Sequence, residues 1–217
     1  MLLGLLLLLA ALFSLGAQTT HESWYPIIGS AYVDNASYSF LRRMCDEAGG
    51  RLSGTASNER ALGILAEELD RFGIPMRLER YRFPGFIRGD DTVRVVAPYT
   101  ANLRAVALGY TNASPSFEAE IAIIHEAEPG AFGEADLREK IVLCTGETRP
   151  GRERLLRSEI IDSAAARHAK AVLFIDTRGS GATLVGTANF HGKPSAVPAF
   201  SITLEEGRRI QRLIENG

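Results

Sequence analysis

The sequence predicts an α/β (α+β) protein in which a helical segment precedes an α/β module. Three observations favour this fold class. A long amphipathic run, RALGILAEELDRF, follows the glycine-rich stretch GGRLSGTASNE at residues 49–59. The amino-acid pattern changes near residues 89–91: after this point, short apolar runs alternate with turn residues. A helical pattern, an apolar strand and a closing helix then occupy residues 158–217.

The first residues, MLLGLLLLLAALFSLGA, form an apolar run that is too short for a comfortable membrane span. Small residues follow it, so we expect a signal peptide over residues 1–17 that is cleaved near Ala17. An uncleaved anchor and a core helix are the alternatives. Cleavage predicts a secreted or periplasmic protein with no membrane span in the mature chain.

The helical segment is predicted from apolar spacing and from stop signals. Residues 21–30 lack a pattern and are expected to be irregular, whereas residues 31–48 favour a helix that ends at the Gly49–Gly50 pair. A second helix is expected to start at Ser57 as its N-cap and to end at Gly73. Its predicted buried stripe consists of Leu62, Leu65, Ala66, Leu69 and Phe72.

The strands are predicted from alternation and from apolar runs. MRLERYRF at residues 76–83 alternates like a half-buried strand. Further strands are expected within residues 92–97, 103–110, 118–126, 140–147, 171–176 and 199–202. A loop of about 21 residues, 177–197, separates the last two; its length and small residues predict a mobile loop, functional or not.

The residues themselves contain no catalytic constellation. The nucleophile-elbow pattern G-x-S-x-G is absent, and the four histidines lack the spacing of a zinc site. The near-neutral net charge of −2 gives no reason to expect a nucleic-acid partner. Cys45 and Cys144 fall in apolar patterns, so we expect two buried free thiols, although export would permit a disulfide.

The stretch at residues 49–59 has three possible meanings: an anion site at a helix start, a capping loop, or a family signature. With the helix that follows, it resembles the "R-x-S/A-G-T/S-x-x-N-x-x-A" signature of the secreted zinc exopeptidases of metallopeptidase family 28. The matching residues here are Arg51, Ser53, Gly54, Thr55, Asn58 and Ala61.

The second half resembles a protease-associated (PA) domain. The resemblance rests on KIVL at 140–143, HAKAVLFID at 168–176, VPAFSIT at 197–203 and a final helix with Glu206, Gly207 and Ile210. In the family this module is an insert beside the active-site entrance. The resemblance therefore implies residues 25–88 as the N-terminal segment of a peptidase domain and residues 89–217 as the PA domain.

The family's zinc ligands lie after the PA insert, beginning with an H-x-D that this sequence lacks. The resemblance thus implies two zinc ions and peptide substrates in a full-length relative, but no catalytic or metal-binding residue in this chain. We expect a truncated product, a fragment or a gene-model break that is inactive alone. Phe190 and His191 are the candidate substrate-access residues. A stand-alone peptide-interaction module and half of a periplasmic receptor are the alternatives.

Overall fold

The computed structural model describes residues 24–147, 150–183 and 185–216. The predicted signal peptide lies outside these residues. The chain divides into two compact units, Met1–Glu79 and Arg80–Gly217. The described residues form a mixed α/β structure, which confirms the predicted fold class. Within the described part of the chain, every helix is too short or too polar to cross a bilayer.

The first unit consists of helices. Helix α1 spans Trp24–Val33, α2 spans Ala36–Arg43 and runs into a π-helical turn, Met44–Ala48, and α3 spans Ala56–Arg71. The expectation of irregular structure over residues 21–30 was wrong for the part that begins α1. Pro26 lies in the first turn of α1, where a backbone N–H has no intrahelical acceptor, so the proline does not oppose the helix.

Helix α3 packs on the end of α2 through a small apolar contact. Ala48, Ala61 and Ile64 are buried there, and Phe40 and Met44 pack against them. The predicted stripe was wrong. Four of its members are only half-buried and Phe72 is 60% exposed, because the π-helical turn, together with Phe40 of α2, covers the face of Ala61 and Ile64 instead. Those four half-buried side chains are Leu62, Leu65, Ala66 and Leu69.

Residues 76–83 form no strand, contrary to the alternation of their sequence. Met76, Leu78, Tyr81 and Phe83 are 40–75% exposed. Alternation stabilises a strand only where a neighbour pairs with it and one face is covered. In the described part of the chain no strand pairs with this segment.

The second unit contains seven strands among its described residues. Strands β1 (Arg94–Val95) and β2 (Ala101–Asn102) pair antiparallel. A five-stranded sheet has the order β3-β7-β6-β5-β4, in which only the β3–β7 pair is antiparallel. Its strands are β3 (Ala105–Ala107), β4 (Ile121–Glu126), β5 (Ile141–Glu147), β6 (Ala171–Ile175) and β7 (Ala199–Ile202). Each lies within a segment predicted as a strand.

Helices cover both faces of this sheet. Successive strand residues point to opposite faces, so Val142 and Val172 pack with α4 (Arg157–Ala165), whereas Leu143 and Leu173 pack with α5 (Leu204–Glu215). Helix α4 is shorter than the helical sequence pattern, which extends over residues 158–170. It ends at Ala165 because His168 adopts a left-handed conformation, φ 61°, in the turn before β6.

Neither cysteine forms a disulfide. Cys144 is buried in the sheet, as expected, and burial raises the pKa of its thiol. Cys45 is exposed, contrary to expectation, because it lies in the π-helical turn outside the Ala48–Ile64 contact. Both thiols are free.

Candidate functional site

The signature loop, residues 49–59, connects α2 to α3 and is held by its own side chains. The Arg51 guanidinium donates to the carbonyl oxygens of Met44 (3.3 Å) and Gly49 (3.1 Å), which closes the end of the π-helical turn. Gly54 has a φ of 84°, a conformation that favours glycine.

Thr55, and not the predicted Ser57, is the N-cap of α3. The Thr55 hydroxyl donates to the Leu52 carbonyl (2.7 Å) and accepts from the Asn58 backbone N–H (3.3 Å). Ser53 is exposed and Ala61 is buried against α2. The loop's hydrogen bonds therefore set the angle at which α3 leaves α2, a positioning role that does not need an anion.

The long loop 177–197, which the sequence predicts to be mobile, is hydrogen-bonded to the rest of the unit at several points. Gly181 N–H donates to the Glu205 carboxylate (3.2 Å), and Ala188 N–H donates to the Gly109 carbonyl (2.8 Å). Buried Ser195 accepts from the Asn112 N–H (3.1 Å) and donates to the Val197 carbonyl (2.6 Å).

The two predicted access residues lie between these anchors. Phe190 is 78% exposed and His191 is also exposed. The Asn189 side chain accepts from the His191 backbone N–H (3.0 Å) and donates to the Lys193 carbonyl (2.6 Å), which tightens the turn that carries them. The turn thus presents an aromatic ring and an imidazole to solvent.

Zinc does not fit the residues that the structure describes. Among them, no group of three or more His, Cys, Asp or Glu side chains lies close enough to hold a metal ion. The described histidines, His125, His168 and His191, are all exposed on separate segments. The chemistry of a metal-bound water is therefore not assigned to these residues.

A buried carboxylate at the carboxyl end of β6 escaped the sequence analysis. The Asp176 side chain is 3% exposed, and the Arg178 guanidinium donates to both of its oxygens, at 3.0 Å and 2.6 Å. These hydrogen bonds lower the pKa of Asp176. The pair closes the turn after β6 and so fixes the start of the long loop.

A groove of about 660 Å³ lies on the α5 side of the sheet, at the amino ends of its parallel strands. Ile141, Leu173 and Phe200 line its floor, and Phe117 lines one wall. Most residues of the segment 86–94, which we call the strap, also line the groove. These positions are far apart in sequence, so no linear motif could reveal the groove.

Two side chains fasten the strap to the edge strand β3. Asp91 accepts from the Ala107 backbone N–H (3.1 Å), and Arg88 donates to the Ala107 carbonyl oxygen. Arg88 and Asp91 also form an ion pair at 3.5 Å. The two side chains thus form hydrogen bonds with the outward-facing N–H and carbonyl groups of Ala107. Without these bonds, the edge of the sheet could pair with a strand of another chain.

No protein-family profile matches the chain. Among curated proteins it is similar to carboxypeptidase Q from Mus musculus, at 22% identity over 190 residues, which cover 84% of this chain and 40% of that protein. Carboxypeptidase Q from Rattus norvegicus is 31% identical over 93 residues, which cover 42% of this chain and 20% of that protein. The chain spans two fifths or less of the length of these relatives.

Solved structures with similar folds include peptidases. The peptidase M28 precursor from Shewanella amazonensis superposes with a TM-score of 0.70 at 18% identity, covering 90% of this chain and 47% of that chain. BSAP, a zinc aminopeptidase from Bacillus subtilis, gives 0.60 at 20% identity, covering 80% and 40%. The chain therefore has the fold of part of a family 28 metallopeptidase, and the resemblance drawn from its signature loop is confirmed.

Proposed function

We propose that the chain is the N-terminal and PA-domain portion of an exported, zinc-dependent exopeptidase with aminopeptidase-like activity on peptides. The zinc-binding catalytic body, with two metal ions, belongs to sequence outside this chain. The observation that carries the proposal is the match over 84% of this chain but only 40% of carboxypeptidase Q. It is supported by the lack of metal-ligand groups among the described residues.

The first unit, in this proposal, packs against the catalytic body. Its described helices bury little apolar surface, while many of their large apolar side chains are exposed by half or more. A protein that exposes this many large apolar side chains on a few helices usually covers them with a partner surface. The exposed large apolar side chains of α1 include Trp24, Tyr25, Ile27, Tyr32 and Val33.

The second unit, as the PA domain, shapes the approach of substrate to the active site. The anchored turn that presents Phe190 and His191 supports this role, because a fixed aromatic ring can contact a passing peptide without a large ordering cost. Export depends on the predicted signal peptide at residues 1–17.

The proposal is tested on the natural transcript beyond codon 217. A continuing reading frame that encodes H-x-D and further acidic ligands is the expected result. A stop codon at that point in the mature transcript, verified by protein mass spectrometry, would contradict the proposal.

A stand-alone peptide-interaction module is the second candidate. The groove beneath the strap favours it, because a binding site of this size lies wholly inside the second unit. The transcript test separates the two candidates, since the module needs no further coding sequence.

A further inference from the structure

The groove beneath the strap combines an apolar floor with a charged rim. We propose that it binds a short apolar peptide segment that carries a positive charge. This site needs no metal and no catalytic body. The inference rests on the second candidate function, whose ligand class it names, and its failure would leave the exopeptidase proposal standing.

The floor provides the apolar contact. Leu173 is only 3% exposed and forms the floor with Ile141 and Phe200, which stay partly open. Ligand sites in proteins typically have volumes of roughly 300–1,000 Å³, and this groove has about 660 Å³. Burial of apolar side chains on this floor supplies the main binding energy.

The charged residues on the rim of the groove determine which charge a bound peptide should carry. Asp91 is already paired with Arg88, so it adds little. Among the described residues, Asp90 and Glu118 have no ion pair, and Arg94 is the opposing cation on the rim. Two carboxylates against one guanidinium leave an acidic rim, which favours an ammonium or guanidinium group on the ligand.

Uncharged polar groups complete the match to a peptide. Thr92, Asn112 and Ser116, which carry hydroxyl and amide groups, also line the groove. They can exchange hydrogen bonds with a peptide backbone, whose donors and acceptors need partners once water is removed. An apolar hydrocarbon ligand would leave these groups unpaired.

The strap keeps the groove open before the ligand arrives. Arg88 and Asp91 hold it at the sheet edge, while Tyr110 donates from its hydroxyl to the Pro84 carbonyl (2.7 Å) just ahead of it. A wall fixed at both ends reduces the entropy that binding must overcome.

The test is fluorescence anisotropy of the full chain with three labelled pentapeptides. Their sequences are lysine–leucine–phenylalanine–leucine–lysine, the same core flanked by glutamates, and lysines flanking serine–glycine–serine. We expect the first to bind at least about tenfold more tightly than either of the others. Equal affinity for all three, or no binding of the first at millimolar concentration, would overturn the proposal.

Charge reversal at the rim locates the site. The double variant Asp90→Lys, Glu118→Lys is expected to reverse the preference, so that the glutamate-flanked peptide binds more tightly. Glu134→Lys, an exposed acid of the same unit away from the groove lining, is the matched control and should leave the preference unchanged. If the double variant still bound the lysine-flanked peptide more tightly, the proposed site would be wrong. The proposal would also be wrong if the chain self-associated through the groove and so excluded the peptide.

Discussion

Gly207 shows how one residue without a side chain lets a helix approach the sheet. It lies in α5 directly over Ile175 of β6, and a Cβ built on it would lie 2.9 Å from Ile175 Cγ2 and closer to Cγ1 and Cδ1. This close approach gives a physical reason for the glycine that the PA-like motif names.

Replacing Gly207 with alanine is therefore expected to destabilise the second unit by about 1–3 kcal/mol, because Ile175 must leave its position in a packed core. Gly63→Ala is the matched control. Gly63 lies inside α3 with nothing within 4 Å of the added Cβ, so alanine there should stabilise by about 0.5–1 kcal/mol. The free energy of unfolding of both variants is measured by urea denaturation. Stabilisation by Gly207→Ala would show that the added methyl group does not displace Ile175.

The Asp176–Arg178 pair gives a second prediction at the residue scale. Arg178 holds the folded pKa of Asp176 below the unfolded value of about 3.9. The stabilisation is therefore complete above pH 4 and is lost as the pH falls through the folded pKa. Because Arg178 is well exposed, we expect Asp176→Asn to cost only about 1 kcal/mol at pH 7.

The cost of Asp176→Asn should shrink as the pH falls below the unfolded pKa of about 3.9, because the stabilisation by the ionised carboxylate is lost on the way down to the folded pKa. Asp162→Asn, an exposed change on α4, serves as the control and should have little effect at any pH. The measurement is the free energy of unfolding against pH. A cost of Asp176→Asn that does not shrink as the pH falls below about 4 would contradict the assigned pair.

At the scale of single elements, the N-cap of α3 carries a direct test. Thr55→Ala removes the acceptor of the Asn58 N–H and the donor to the Leu52 carbonyl. We expect the first turn of α3 to lose about 1 kcal/mol, seen as faster hydrogen exchange at the Asn58 amide. In the control variant Thr55→Ser, both hydrogen bonds remain and the Asn58 amide should exchange nearly as slowly as in the wild type. If the Asn58 amide exchanged at the wild-type rate in Thr55→Ala, Thr55 would not be the N-cap.

The elements also show what could be predicted from the sequence. Strands β6 and β7 were predicted because their apolar runs suit a sheet buried on both faces. The predicted strand at 76–83 failed because alternation does not supply a partner. Helix α1 was missed because its apolar residues lack an amphipathic pattern.

Only those parts of the candidate site that consist of consecutive residues could be predicted from the sequence. The signature loop could be recognised from consecutive residues, although the choice of Thr55 over Ser57 as the cap depends on backbone angles that the sequence does not specify. The groove was not predictable, because its lining brings together residues from 86 to 200. The Asp176–Arg178 pair depends on the turn after β6 and has no spacing signal of its own.

At the scale of the whole molecule, we expect the second unit to fold without the first. Residues 80–217 contain both apolar clusters of the sheet and the strap that closes its edge. A fragment of residues 80–217 should therefore melt cooperatively. A fragment of residues 92–217, which lacks Arg88 and Asp91, should melt at a lower temperature because β3 loses its edge partners. A non-cooperative melt of the longer fragment would contradict this expectation.

In the proposed function, these two units serve a zinc exopeptidase without holding its metal site. The most direct test is the zinc content of the purified chain, measured by elemental analysis after incubation with zinc and removal of the excess, together with hydrolysis of an aminoacyl reporter. We expect far less than one zinc per chain and no hydrolysis, since the described side chains form no metal-ligand group. Near-equimolar zinc, with hydrolysis that a chelator abolishes, would contradict it.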